Sequence, residues 1–105
     1  MEPRAVNDRR AELQIIDVRE DEEWEAGRIE AAVHIAMDDI PARLEQIDHD
    51  RTVVTVCRSG HRSEQVADYL TQVGFAAFNL DGGMQRWADE GLPVSTLDGD
   101  PGRVA

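Results

Sequence analysis

Short apolar runs alternate with helix-patterned polar stretches along the whole chain. Leu13 to Val18 (LQIIDV) predicts a buried strand that ends at the charged Arg19-Glu20-Asp21. Asp21 to Ala26 reads as a short helix stopped by Gly27. Ala32 to Ala36 (AVHIA) predicts a second short strand. Asp38 can cap a helix over Asp39 to Ile47, with Pro41 tolerated in its first turn. Thr52 to Cys57 (TVVTVC) is β-branched and uncharged, the pattern of a central strand buried on both faces. Ser63 to Val73 places Val66, Ala67, Leu70 and Val73 at helical spacing, with Gly74 as the stop. Phe75 to Leu80 predicts another strand and Gly82-Gly83 a turn. Met84 to Glu90 predicts a last helix, with Trp87 inward and Gly91 closing it. Residues 1–12 are polar and charged, with room for one short helix.

Strands and helices alternating through short connections predict an α/β domain with a mostly parallel sheet. There is no internal repeat and no low-complexity tract. Residues 1–94 read as one domain, and 95–105 (STLDGDPGRVA), with turn and linker composition, as a loose tail. In open parallel sheets, ligands bind beyond the carboxyl ends of the strands. Cys57 stands at that end of the most hydrophobic strand and directly precedes a helix.

Composition narrows the chemistry. A chain of 105 residues fits one domain. The uninterrupted apolar runs are a few residues long, far below the ~20 needed to span a bilayer. Met1 to Arg10 carries charge and no apolar h-region, so the expected compartment is the cytoplasm. Asp plus Glu number 22 against 11 Lys plus Arg, a net charge of -11. This argues against nucleic acid or an anionic membrane as partner, because both require a basic surface. It also favours a monomer or at most a weak dimer at low salt. All the Lys-plus-Arg positions are Arg, so lysine-nucleophile and Schiff-base chemistry are excluded. The single cysteine rules out an internal disulfide, a C-x-x-C redox pair and a cysteine zinc cluster.

The segment Cys57-Arg58-Ser59-Gly60-His61-Arg62-Ser63 joins a buried strand to a helix N-terminus. Gly60 permits backbone angles that let the loop curl tightly. In such a curl consecutive N–H groups point inward as an anion nest, reinforced by the positive end of the helix. Arg58 and Arg62 add positive charge. Together these favour thiolate, and cysteines so placed have pKa values lowered from ~8.5 to roughly 3.5–7.5. A nested thiolate can take the outer sulfur of thiosulfate as a persulfide, attack phosphorus, or reduce an oxyanion. Cysteine phosphatases use C-x5-R, whereas Arg62 gives C-x4-R and Ser63 fills the position that would complete the longer motif. The shorter loop suits a single sulfur better than a phosphate, and an arsenate-reductase cycle lacks its second cysteine. The bland alternative is a strand-end core cysteine followed by a surface turn. It leaves the two arginines, the glycine and the other polar residues without a reason.

His61, in a polar loop, reads as exposed, with substrate contact the lesser alternative. His34 lies in or beside a short strand and His49 in a loop. The three histidines show no metal-ligand spacing, so neither a metal nor another cofactor is expected.

CRSGHRS resembles the active loop of rhodanese-domain sulfurtransferases. Three further stretches agree in order: IIDVRE at 15–20 with Glu23-Trp24; Gly27-Arg28-Ile29; and Asn79-Leu80-Asp81-Gly82-Gly83 with Trp87 and Gly91-Leu92-Pro93-Val94. The resemblance covers about Leu13 to Val94. It implies a central parallel five-stranded sheet flanked by helices on both faces. It also implies a Cys57 persulfide cycle, fed by thiosulfate or another sulfane donor and emptied by cyanide, a small thiol or a protein thiol. Arg58, Ser59, Gly60, His61 and Arg62 would form the backbone cradle, and Ser63 would open the helix. Asp17 and Arg19 match the family's strand-end pair and are read as supports of the loop. The family's G-H-I-P-G-A stretch stands here as Gly27-Arg28-Ile29-Glu30-Ala31-Ala32, either as drift in a structural turn or as an altered mouth. The segment before Leu13 is short for the family, which is compatible with a trimmed edge element. Two other classes compete with the enzyme: a non-catalytic rhodanese-like module for binding or redox sensing, and a phosphatase or arsenate reductase.

Overall fold

A computed structural model describes residues 1–105. Four parallel strands form one sheet in the order β2-β1-β3-β4: β1 Gln14–Asp17, β2 Val33–His34, β3 Val53–Val56 and β4 Ala77–Asn79. The register sets Asp17 beside Val56, so β1 and β3 end together at the edge that carries Cys57. Successive strand side chains face opposite ways. Ile16, Val53 and Cys57 accordingly enter one core, with Ile40, Val66 and Leu70. Ile15, Val54 and Val56 enter the other, with Val6, Met84 and Trp87. Every residue of β3 is buried. The run without charge at 52–57 therefore lies at the centre of the sheet, with helices on both faces.

The helices are α1 Pro3–Asp8, α2 Asp21–Ala26, α3 His61–Gln72 and α4 Gly83–Asp89. Two expectations are corrected. The sheet has four strands rather than five. Ahead of β1 the chain forms α1, whose charged sequence buries only Pro3 and Val6 and offers no strand pattern. The helix expected over Asp39 to Ile47 is a 3-10 segment, Met37–Gln46, broken by non-helical angles at Arg43. It starts earlier than expected, which moves Pro41 from the first turn to the interior. There its ring and missing N–H oppose a regular α-helical ladder.

Residues 95–105, expected as a loose tail, have defined partners. Ser95 bridges Arg28 and Pro101, and the Arg103 N–H donates to the Ala26 carbonyl at 3.0 Å. Gly102 and Gly27 pass so closely that a Cβ on Gly102 would lie 2.8 Å from Gly27 Cα. No helix is long and apolar enough to cross a membrane.

Candidate active site

Cys57 follows the last residue of β3, and the loop 57–60 turns directly into α3. Gly60 holds φ +100 at the N-cap, the left-handed conformation that lets the chain curl back over the sulfur. The Gly60 N–H donates to Cys57 Sγ at 3.0 Å, and the Ser63 hydroxyl lies 3.2 Å from the same atom. Ser63 is buried, and its carbonyl accepts from the buried Thr55 hydroxyl at 2.8 Å. Cys57 is buried at the carboxyl edge of the sheet. Burial pushes the thiol up. Hydrogen bonds from the Ser63 hydroxyl and from the N–H groups of Ser63, Gly60 and Ser59 outweigh it and hold the thiol below its ordinary range.

The two arginines do not approach the sulfur by hydrogen bonds. Arg62 is gripped by Glu23 through parallel bonds of 2.9 and 3.0 Å, a bidentate pair between α3 and α2. That pair lowers the Glu23 carboxyl and raises the Arg62 guanidinium. Glu23 also accepts from the Glu20 N–H at 3.0 Å and so closes the capping box of α2. Arg58 turns the other way and donates to the Ala105 backbone oxygen at 3.0 Å. With its amide oxygen toward Arg58, Gln85 accepts from the same guanidinium at 2.7 Å. The leading stabilising donors to the sulfur are N–H groups and one hydroxyl, and the charge of Arg62 interacts with Cys57 through space.

Asp17 and Arg19 form a buried ion pair of 2.8 Å, and Arg19 also donates to the Gly27 carbonyl at 2.7 Å. Neither bonds to the Cys57 loop. Arg19 fixes the carboxyl end of α2, and α2 carries Glu23, which holds Arg62. His61 is exposed at the start of α3.

Three residues take structural parts at the site that their patterns do not announce. Asn79, at the end of β4, accepts from Ser63 Oγ at 2.5 Å and donates to the Gly60 carbonyl at 3.1 Å, bracing both ends of the loop. Glu23 holds Arg62. Gly83 brings the first turn of α4 under the loop, where Met84 and Gln85 N–H groups donate to the Cys57 and Arg58 carbonyls at 2.8 and 3.0 Å. A Cβ on Gly83 would fall 2.5 Å from the Arg58 oxygen. Asp81-Gly82-Gly83 is thus a turn that also anchors the loop. The only signal in the sequence is the spacing of these residues within longer motifs, because each partner lies far away in the chain.

The departures at 28–31 lie elsewhere. Arg28 stacks on Trp24 at 4.1 Å, and Trp24 on His34 at 4.9 Å. Ala31 holds φ +73, so the backbone keeps a glycine-like conformation without a glycine.

A profile of the rhodanese-like domain matches residues 3–90. The chain belongs to the rhodanese-like domain family. It is 51% identical over 82 residues to YtwF of Bacillus subtilis (strain 168), named as a candidate sulfurtransferase, covering 78% of this chain and 80% of that one. It is 42% identical over 86 residues to a protein of Allochromatium vinosum named sulfurtransferase, covering 81% and 80% of the two chains. The crystal structure of a rhodanese-like domain protein from Staphylococcus aureus superposes with a TM-score of 0.81 at 37% identity, covering 91% of this chain and 97% of that one.

Proposed function

We propose that this chain is a sulfurtransferase that carries sulfane sulfur on Cys57. The observation that carries this reading is the sulfur itself, the one cysteine of the chain, held by the Gly60 N–H and beside the Ser63 hydroxyl at a strand-to-helix turn. The sulfurtransferase names of the two relatives support the same chemistry.

In the first half-reaction the Cys57 thiolate attacks the outer sulfur of a donor. The Sγ–S bond forms, the donor's S–S bond breaks, and the electron pair leaves with sulfite or a thiolate. In the second, an acceptor thiolate or cyanide attacks the outer sulfur of the Cys57 persulfide and the Cys57 thiolate is released. No net oxidation occurs and no cofactor enters. The loop donors stabilise the sulfur anion at the start and end of each cycle. They cost no reorganisation, because Asn79, Thr55 and the first turn of α4 already hold the loop in place.

Thiocyanate formation from a sulfane donor and cyanide tests the reading. Wild-type protein should turn over, Cys57→Ser should not, and neither should hydrolyse a phosphate ester. Phosphate-ester hydrolysis lost in Cys57→Ser would point instead to the phosphatase reading. A thiol reactive to alkylation but inert to every sulfane donor would point to a binding module.

A further inference from the structure

The Asn79 amide touches, with its two ends, the two residues that donate to the Cys57 sulfur. Its Nδ2 donates to the Gly60 carbonyl at 3.1 Å, and its Oδ1 accepts from Ser63 Oγ at 2.5 Å. The Gly60 N–H and the Ser63 hydroxyl are in turn 3.0 and 3.2 Å from Cys57 Sγ. The sheet fixes the amide there. Asn79 stands beside Thr55 in the β3–β4 register, and Thr55 and Cys57, two positions apart, face the same side. Ser63 is buried and its carbonyl is held by the Thr55 hydroxyl at 2.8 Å. Its Oγ therefore stays between two acceptors, Asn79 Oδ1 and Cys57 Sγ, with one proton to turn to either.

A thiol sulfur is a weak acceptor, and an amide oxygen is a better one. While Cys57 is protonated, the hydroxyl donates to Asn79. Once Cys57 has lost its proton to solvent, the charged sulfur is the stronger partner and the hydroxyl turns to it. We propose that Asn79 is a positioning residue for the sulfur chemistry: its amide oxygen keeps the Ser63 proton from the neutral sulfur and yields it to the anion. This rests on Cys57 being the sulfur carrier and names a residue that governs how readily it ionises. The charged groups on the neighbouring elements are bonded elsewhere or exposed. Arg62 of α3 is held by Glu23 of α2, Arg58 turns to Gln85 and Ala105, and Asp17 pairs with Arg19 after β1. Arg86 of α4 pairs with Glu90 and Glu2, and Asp81 after β4 has the Met1 amine at 3.5 Å. His61 and Glu64 are exposed in the first turn of α3.

The pH midpoint of iodoacetamide alkylation, measured through double-mutant cycles with Ser63→Ala, reads the exchange. Asn79→Asp puts a carboxylate where the amide oxygen lies and keeps the hydroxyl from the thiolate. It should raise the midpoint in the wild-type background by about one pH unit more than in Ser63→Ala, the loss of one hydrogen bond to an anion. Asn79→Leu removes the competing acceptor at similar size and frees the hydroxyl for the sulfur. Its shift in the wild-type background should lie about half a pH unit below its shift in Ser63→Ala. The two variants should thus couple to Ser63 with opposite sign. A residue that only braces Gly60 would give equal shifts in both backgrounds. Equal shifts, or couplings of the same sign, would overturn the proposal. Thermal melting identifies a variant that fails to fold, and the coupling of the other then decides. Sulfur loading followed by intact mass reports the carrier reading separately, because alkylation needs no sulfur donor. Loading with equal shifts would remove the proposal alone, and no loading from any sulfane donor would remove the carrier reading.

Discussion

The Ser63 hydroxyl stands 3.2 Å from the Cys57 sulfur and 2.5 Å from Asn79 Oδ1, with one proton to give. When Cys57 ionises, the anion is the stronger attractor for that proton, so Ser63 is the side-chain donor that lowers the thiol. Ser63→Ala should move the midpoint of iodoacetamide alkylation to higher pH. It should also slow persulfide formation at neutral pH by about tenfold, the worth of one hydrogen bond to an anion at roughly 1.5 kcal/mol. An unmoved alkylation profile would show that the backbone N–H groups suffice.

Gly83 should be the least replaceable glycine near the site. Its φ is +62, and a Cβ would strike the carbonyls of Arg58 and Cys57 at 2.5 and 2.6 Å. Gly83→Ala should cost about 3 kcal/mol in denaturant unfolding, from left-handed strain plus overpacking. Gly91, at φ +76, has open space around its Cβ position. Gly91→Ala should cost only the strain, about 1–2 kcal/mol. Equal losses would show that crowding under the loop contributes nothing.

Ala31→Gly should stabilise the protein. The alanine holds φ +73 at a cost of about 1–2 kcal/mol, partly offset because alanine restricts the unfolded chain by roughly 0.4–1 kcal/mol. The net gain should be on the order of 1 kcal/mol, read as a rise in Tm.

Glu23→Gln should weaken the link between α2 and α3. The hydrogen bonds from Arg62 lower the Glu23 carboxyl in the folded state from its ordinary 4.5. Its contribution is therefore full above about pH 4.5 and is lost as the pH falls through the lowered folded value. The wild type should exceed Glu23→Gln by about 1 kcal/mol at neutral pH, a modest figure because solvent reaches both side chains. The gap should close as the pH falls through that lowered value. A gap that persists in acid would mean that the pair acts by packing rather than charge.

Local pattern alone makes several elements legible in the amino-acid sequence. The uncharged run at 52–57 has to be a central strand, and it is, because only burial on both faces accommodates it. The turn at Cys57 follows from the glycine and the strand's end. What stays hidden depends on partners distant in the chain. Arg62 reads as a cation beside the thiolate, but its grip through both terminal nitrogens by Glu23, 39 positions away, has no local signal. Gly82-Gly83 reads as a plain turn because the carbonyls it approaches belong to residues 57 and 58. The 3-10 segment departs from the expected helix because its start lies two residues earlier and puts Pro41 inside. The tail's bonds to Ala26 and Arg28 leave no periodic trace, since they are backbone contacts.

Sulfur carriage on Cys57 can be weighed outright, as the intact mass of the protein after 2-aminoethyl hydropersulfide, before and after cyanide, beside Cys57→Ser. The wild type should gain a single sulfur atom that cyanide removes, and the variant should gain none. A folded wild type that gains no sulfur, or a variant that gains it equally, would contradict a sulfur carrier built on Cys57.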